Sequence, residues 1–247
     1  MKIKIKDTVV NYIQYGKDSG KDIILLPGWK QNIEMMDPIG QKLKKDFKIT
    51  ILDFPGFGES DEPSYSWGVE DYFDFFDEFL NELKIKKPIL IGHSFGGRIA
   101  IIYAAKKAVT KLILIASPFR RTNKKANIKI KILKFLKKVP ILNKLENYMK
   151  KRIGSRDYKS ATPRMREILV KVINNNLINY LSKIKCSTLL IWGTNDLEVP
   201  LKEAQYIESV IRDCGLVIYE GGSHYAYLER IDQTGRVLNE FLKNDKE

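Results

Sequence analysis

The chain has 247 residues, 44% of them apolar and 11% aromatic, which is enough to build a sizeable core and excludes wholesale disorder. Charged residues make up 30%, and no run approaches the roughly 18 consecutive apolar residues of a membrane-spanning helix. The net charge of +13 is local: residues 118–185 hold 20 basic and 3 acidic side chains, a net of +17, while the remainder carries −4, so one basic lobe sits on a slightly acidic body and a uniform nucleic-acid-binding surface is not expected.

The first residues, MKIKIKDT, contain no apolar h-region, so no secretion signal is read and a cytoplasmic location is the expectation. Lys2 to Tyr15 alternates between apolar and polar residues, which fits an antiparallel opening pair at a sheet edge. Continuous apolar runs follow at Ile23–Leu26, Ile49–Leu52, Pro88–Ile91, Leu112–Ile115, Leu189–Trp192 and Leu216–Tyr219. Runs of this kind mark strands covered on both faces, as in a parallel sheet. Helical spacing fills the gaps over Val69–Leu83, Ser94–Lys107, Leu201–Ile211 and Asp232–Leu242. The pattern predicts an α/β fold with a mainly parallel central sheet flanked by helices. It is interrupted between the fourth and fifth apolar runs, so residues 1–117 and 184–247 form the expected core and residues 118–183 an insertion.

Pro88-Ile-Leu-Ile runs straight into Gly92-His93-Ser94-Phe95-Gly96-Gly97 and then a helical stretch. This is G-x-S-x-G in the strand–turn–helix setting that the motif requires. Ser94 must occupy a tight, strained turn, with Gly92 and Gly96 making room for the strand and helix to approach. The amide of Phe95 then points from the helix N-terminus towards the site as an oxyanion donor. Of the two histidines, His93 adjoins the serine and should point away from its hydroxyl, leaving His224, in the Gly-rich loop after the last apolar run, as the base. Asp196, at the end of the run Leu189–Trp192, is the orienting carboxylate, with Glu198 as its competitor. A second oxyanion donor is expected in Pro27-Gly28-Trp29, where Pro27 has no N–H and the amide of Trp29 is the candidate. Two cysteines, Cys186 and Cys214, are too few for a disulfide scaffold, and neither they nor the two histidines have the spacing of a metal site.

These motifs, together with Asp53-Phe-Pro-Gly-Phe-Gly-Glu-Ser60, resemble the α/β-hydrolase family, in particular its capped, carboxylesterase-like serine hydrolases; the likeness covers about residues 8–117 and 186–243. The resemblance implies the α/β-hydrolase fold, an inserted helical cap over the site, no cofactor, and hydrolysis of a small-molecule ester through Ser94, His224 and Asp196. One departure is Pro27, where many relatives carry His. Alternatives with the same triad are a peptidase similar to proline iminopeptidases, a C–C bond hydrolase, or a slow-turnover ligand sensor. The insertion offers only Glu146, Asp157 and Glu167 to hold a substrate amine, which weighs against the peptidase. Ile128 to Arg152 carries an apolar stripe among lysines, to be broken by Pro140, and Pro163 to Leu181 a second one. The basic face is open to three readings: a solvated cap, a dock for an acidic carrier protein, or a contact with anionic membranes. No nucleic-acid partner is expected, and the oligomeric state is not encoded in any readable form.

Overall fold

A computed structural model describes residues 1–121 and 161–246. Eight strands form one sheet: β1 (Lys2–Ile5), β2 (Thr8–Gly16), β3 (Asp22–Leu26), β4 (Lys48–Leu52), β5 (Ile89–His93), β6 (Lys111–Ile115), β7 (Ser187–Gly193) and β8 (Cys214–Tyr219). Their spatial order is β1-β2-β4-β3-β5-β6-β7-β8. The pairs β1/β2 and β2/β4 are antiparallel, and every other pair is parallel. The alternating N-terminal stretch is thus the antiparallel edge, and the continuous apolar runs are the buried parallel strands. Among the described residues the helices are α1 (Ile33–Leu43), α2 (Val69–Glu82), α3 (Phe95–Lys106), α4 (Pro163–Asn174), α5 (Ile178–Leu181), α6 (Leu201–Val210), α7 (Ala226–Glu229) and α8 (Ile231–Phe241).

Helix α1 has no counterpart in the sequence pattern, because Pro38 and Gly40 lie inside it and both normally break helices. The packing explains Gly40: a side chain there would overlap the hydroxyl of Tyr15, which donates to Asp37 Oδ1 at 2.6 Å. The second stripe of the insertion is also not one helix. Helix α4 starts on Thr162, whose Oγ1 accepts the Met165 N–H at 3.2 Å, and buries Met165, Ile168, Leu169 and Val172. It stops at Asn175, whose carbonyl accepts Arg98 Nη1 at 3.1 Å. The buried Arg98 comes from α3, so this bond ties the insertion to the core at the break. Further ties are Tyr180 to Glu70 at 2.5 Å and Arg120 Nε to Glu203 at 2.7 Å, while Leu177 N–H donates to the Phe119 carbonyl at 2.7 Å within the insertion itself. The first stripe, residues 128–152, and its break at Pro140 lie outside the described residues. No helix among the described residues is long and apolar enough to cross a membrane.

The turn after β4 is shaped by one carboxylate. Asp53 is buried; its Oδ1 accepts the Ile33 N–H at 2.8 Å, and its Oδ2 accepts Asn11 Nδ2 at 2.9 Å and the Glu59 N–H at 3.0 Å. Gly58 adopts φ +53°, and a side chain there would run into that carboxylate. Asp53→Ala strands three donors in a site with little access to water. It is expected to destabilise the protein by about 2–4 kcal/mol in urea denaturation. A change below about 0.5 kcal/mol would mean that the loop does not depend on this anchor.

Candidate active site

The site forms where parallel strands end. All five residues of β5 are buried, and the next residue, Ser94, has φ 48° and ψ −110° before α3 starts at Phe95. A positive φ in a non-glycine residue costs on the order of 1–3 kcal/mol and persists only where its surroundings enforce it. Here they do. A Cβ on Gly96 would overlap the Leu26 carbonyl of β3, one on Gly97 would overlap Ser117 Oγ, and one on Gly92 would lie 2.7 Å from Gly97 Cα. Ser117, which the sequence pattern does not flag, lies with its hydroxyl 3.1 Å from both the Gly92 and Ile115 carbonyls and braces the turn from behind.

Asp196 and His224 come together from the loops after β7 and β8. Asp196 Oδ2 is 2.8 Å from His224 Nδ1, and both residues are buried. Asp196 Oδ1 accepts the N–H groups of Glu198 and Val199, each at 2.8 Å, so the loop's own amides aim the carboxylate. Glu198 stands elsewhere: its side chain is 65% exposed, and Oε2 lies 3.5 Å from the other ring nitrogen, Nε2. The two carboxylates therefore flank opposite edges of the imidazole. The Ser94 hydroxyl is partly exposed and makes no hydrogen bond to His224. Such contacts often tighten only when substrate binds.

Neither the Trp29 nor the Phe95 amide N–H donates to an acceptor among the described residues. Both are thus available to a developing anion, and that of Phe95 carries the partial positive charge of a helix start. The Phe95 ring is met edge-on by Trp29, Phe54, Phe57 and Tyr72, with centroids 5.0–6.0 Å apart. This aromatic cluster locks the elbow to the loops after β3 and β4.

His93 is fully buried behind the His224 loop, with Nδ1 3.0 Å from Gln31 Oε1 and Nε2 3.1 Å from the His224 carbonyl. The partner of Gln31 is 62 residues away, and no local pattern announces such a pair. No group of three or more His, Cys, Asp or Glu among the described residues is arranged to hold a metal ion. The thiols of Cys186 and Cys214 are free, and burial pushes them up to about 11 and about 12, which makes them poor nucleophiles.

Burial, reinforced by the neighbouring His224, lowers His93 from 6.5 to about 3. The folded ring is therefore neutral where an unfolded one takes a proton. Between pH 6.5 and about 3 the unfolded chain binds the extra proton, so this group removes stability as pH falls, by up to about 1.4 kcal/mol per pH unit. His93→Phe is expected to flatten the acid limb of the urea-denaturation profile by that slope. An unchanged slope would show that the ring is charged in the fold.

A family profile described as the alpha/beta hydrolase fold matches residues 23–140. The chain is 26% identical to a pimeloyl-[acyl-carrier protein] methyl ester esterase of Aliivibrio salmonicida, over 92% of this chain and 94% of that one. It is 26% identical to a 2-hydroxy-6-oxononadienedioate/2-hydroxy-6-oxononatrienedioate hydrolase of Klebsiella pneumoniae, over 87% and 82%. The enol-lactonase of Burkholderia xenovorans LB400 superposes with a TM-score of 0.80 at 19% identity, over 98% of this chain and all of that one. Sheet order, elbow and profile agree, and the chain has the alpha/beta hydrolase fold.

Proposed function

We propose that the protein hydrolyses carboxylic esters of small molecules through an acyl-enzyme, with Ser94 as nucleophile, His224 as general base and Asp196 as its orienting carboxylate. The observation that carries the reading is the Asp196–His224 pair at 2.8 Å, which lies, like the strained Ser94 and the Trp29 amide, just beyond the C-terminal ends of the parallel strands. Asp196 holds the proton of the neutral ring on Nδ1, which leaves the Nε2 lone pair to take the Ser94 proton. Ser94 Oγ attacks the ester carbonyl, and the Trp29 and Phe95 amides receive the oxyanion. His224 then protonates the departing alcohol, and water activated by the same Nε2 releases the acid. No step calls for a cofactor or metal ion.

Ester cleavage is put before the C–C reaction because the similarity to the methyl ester esterase, at the same 26% identity, spans more of both chains than that to the Klebsiella hydrolase. The C–C reading is supported by the similarity to the Klebsiella hydrolase and is tested beside it. The net of +17 over residues 118–185 belongs to the proposal as an attraction, weakened by salt, for substrates presented on an acidic carrier protein or an anionic surface.

Steady-state hydrolysis of p-nitrophenyl esters of increasing acyl length is expected to saturate and to pass through a length optimum. Ser94→Ala and His224→Ala are each expected to lower kcat by about 10³-fold or more. Turnover by either variant near the wild-type rate overturns the assignment. Ring-fission diketone substrates, hydrolysed faster than any ester, would move the protein to the C–C class.

The two carboxylates are separated by the same assay. Asp196→Asn is expected to lower kcat by roughly 10⁴-fold, because an amide cannot hold the ring in the required tautomer. Glu198→Gln is expected to stay within about tenfold, as its carboxylate is solvated and screened. The reverse ranking would exchange their roles.

A further inference from the structure

One buried hydrogen-bonded chain runs behind three of the four loops of the site, those of Trp29, Ser94 and His224. Gly28, directly before Trp29, donates its N–H to Gln31 Oε1 at 2.8 Å, and Gln31 returns its own N–H to the Gly28 carbonyl at 3.1 Å. The approach is so close that a side chain on Gly28 would lie 2.8 Å from Gln31 Cδ. The same Oε1 lies 3.0 Å from His93 Nδ1, and the opposite ring nitrogen lies 3.1 Å from the carbonyl of His224. His93 is the residue before Ser94, and its ring packs between those of His224 and Tyr227, with both centroids at 4.8 Å. Each end of the chain is therefore one residue or less from a reacting group.

The proton count of this chain is short by one. Both ring nitrogens of His93 face oxygen acceptors, and a neutral imidazole has a single N–H. The doubly protonated ring would satisfy both acceptors, but full burial opposes it. Rotating the Gln31 amide offers no escape, because the Gly28 N–H needs the oxygen where it stands. The amide oxygen of Gln31 has two lone pairs and can take both Gly28 N–H and His93 Nδ1–H. The His224 carbonyl is then the competing acceptor for the same proton.

We propose that Gln31 and His93 form a positioning relay that fixes the Trp29 amide against Ser94, with the one N–H of the neutral His93 ring on Nδ1 and donated to Gln31. Because the competing acceptor is the backbone of the base itself, the tautomer of His93 and the placement of the His224 loop are linked. Neither residue touches the reacting atoms. The relay rests on the reading of the Trp29 amide as an oxyanion donor, yet its proton placement can be measured without any substrate.

The chain contains only two histidines, so ¹⁵N spectra of protein labelled in the imidazole rings show two rings, and His224→Ala identifies the other. The wild-type His93 ring is expected to carry its proton on Nδ1, and in Gln31→Leu to move it to Nε2, where the only remaining acceptor lies. A wild-type ring protonated on Nε2, or a spectrum unchanged by Gln31→Leu, overturns the relay. In kinetics Gln31→Leu is expected to slow fluorophosphonate labelling of Ser94 by about 10–100-fold, a part of what losing one oxyanion donor costs. On p-nitrophenyl esters the loss should fall on kcat, with KM held within about threefold. Gln31→Glu keeps an oxygen for both N–H groups and is expected to restore labelling to within about threefold of wild type, a rescue that a purely structural role would not show. Labelling by Gln31→Leu at the wild-type rate overturns the proposal. If that variant does not fold, the wild-type spectrum and Gln31→Glu decide alone. Absence of ester hydrolysis by wild type, with the tautomer shift intact, would count against the esterase reading and leave the relay standing.

Discussion

The candidate site depends on how closely the turn between β5 and α3 can approach β3. Ser94 reaches its positive φ only because three glycines let backbone meet backbone there. Gly96 abuts the Leu26 carbonyl, Gly97 abuts Ser117 Oγ, and Gly92 abuts Gly97. That contact has two effects at once. It lifts the serine hydroxyl clear of the sheet, and it brings the start of α3 beside the loop that carries Gly28 and Trp29. The elements that carry the Trp29 and Phe95 amides are thus neighbours because a single packing constraint brings them together. The ring of Phe95, wedged among four aromatic neighbours, holds the arrangement from below.

A second device appears twice. Asp53 and Asp196 each stand just beyond the end of a parallel strand, and each takes backbone N–H groups of its own loop. A carboxylate held in this way is both an anchor for the loop and a fixed acceptor. Asp53 uses its remaining capacity on Asn11 and Ile33, which closes the turn against β2 and α1. Asp196 keeps one oxygen for His224. The chemical difference between a shaping carboxylate and an orienting one is what the second oxygen meets, and burial makes either one costly to leave unpaired.

Much of this was legible in the sequence, and the parts that were not share a cause. Unbroken apolar runs locate the six parallel strands because a strand covered on both faces needs apolar residues at every position. The elbow is legible because its glycines and serine are consecutive. Helix α1 is not, since Pro38 and Gly40 break its local pattern and only contact with Tyr15 explains them. Asp196 and Glu198 are two residues apart, and what separates them is which ring nitrogen each one faces, a matter of loop geometry. The bond that joins Gln31 to His93 spans two strands and a sheet crossing, beyond the reach of any window read along the chain.

The pairing of β6 with β7 bears on how this protein can change over time. The two strands are hydrogen-bonded neighbours, with Lys111 opposite Ser187, although roughly 70 residues of chain separate them. Closing a loop of that size costs entropy only as the logarithm of its length, so halving or doubling it alters the cost by about 0.6 kcal/mol. Because the two strands are parallel, the chain between them leaves at the end of β6 and must return to the opposite end of the sheet to begin β7. The closure cost is therefore insensitive to length, whereas the parts of the stretch that carry Phe119, Met165, Ile168, Val172, Leu177 and Leu181 are packed into the core and belong to the framework. A change of length between these strands is cheap in entropy, and its cost to the protein is set instead by which of those core contacts it removes.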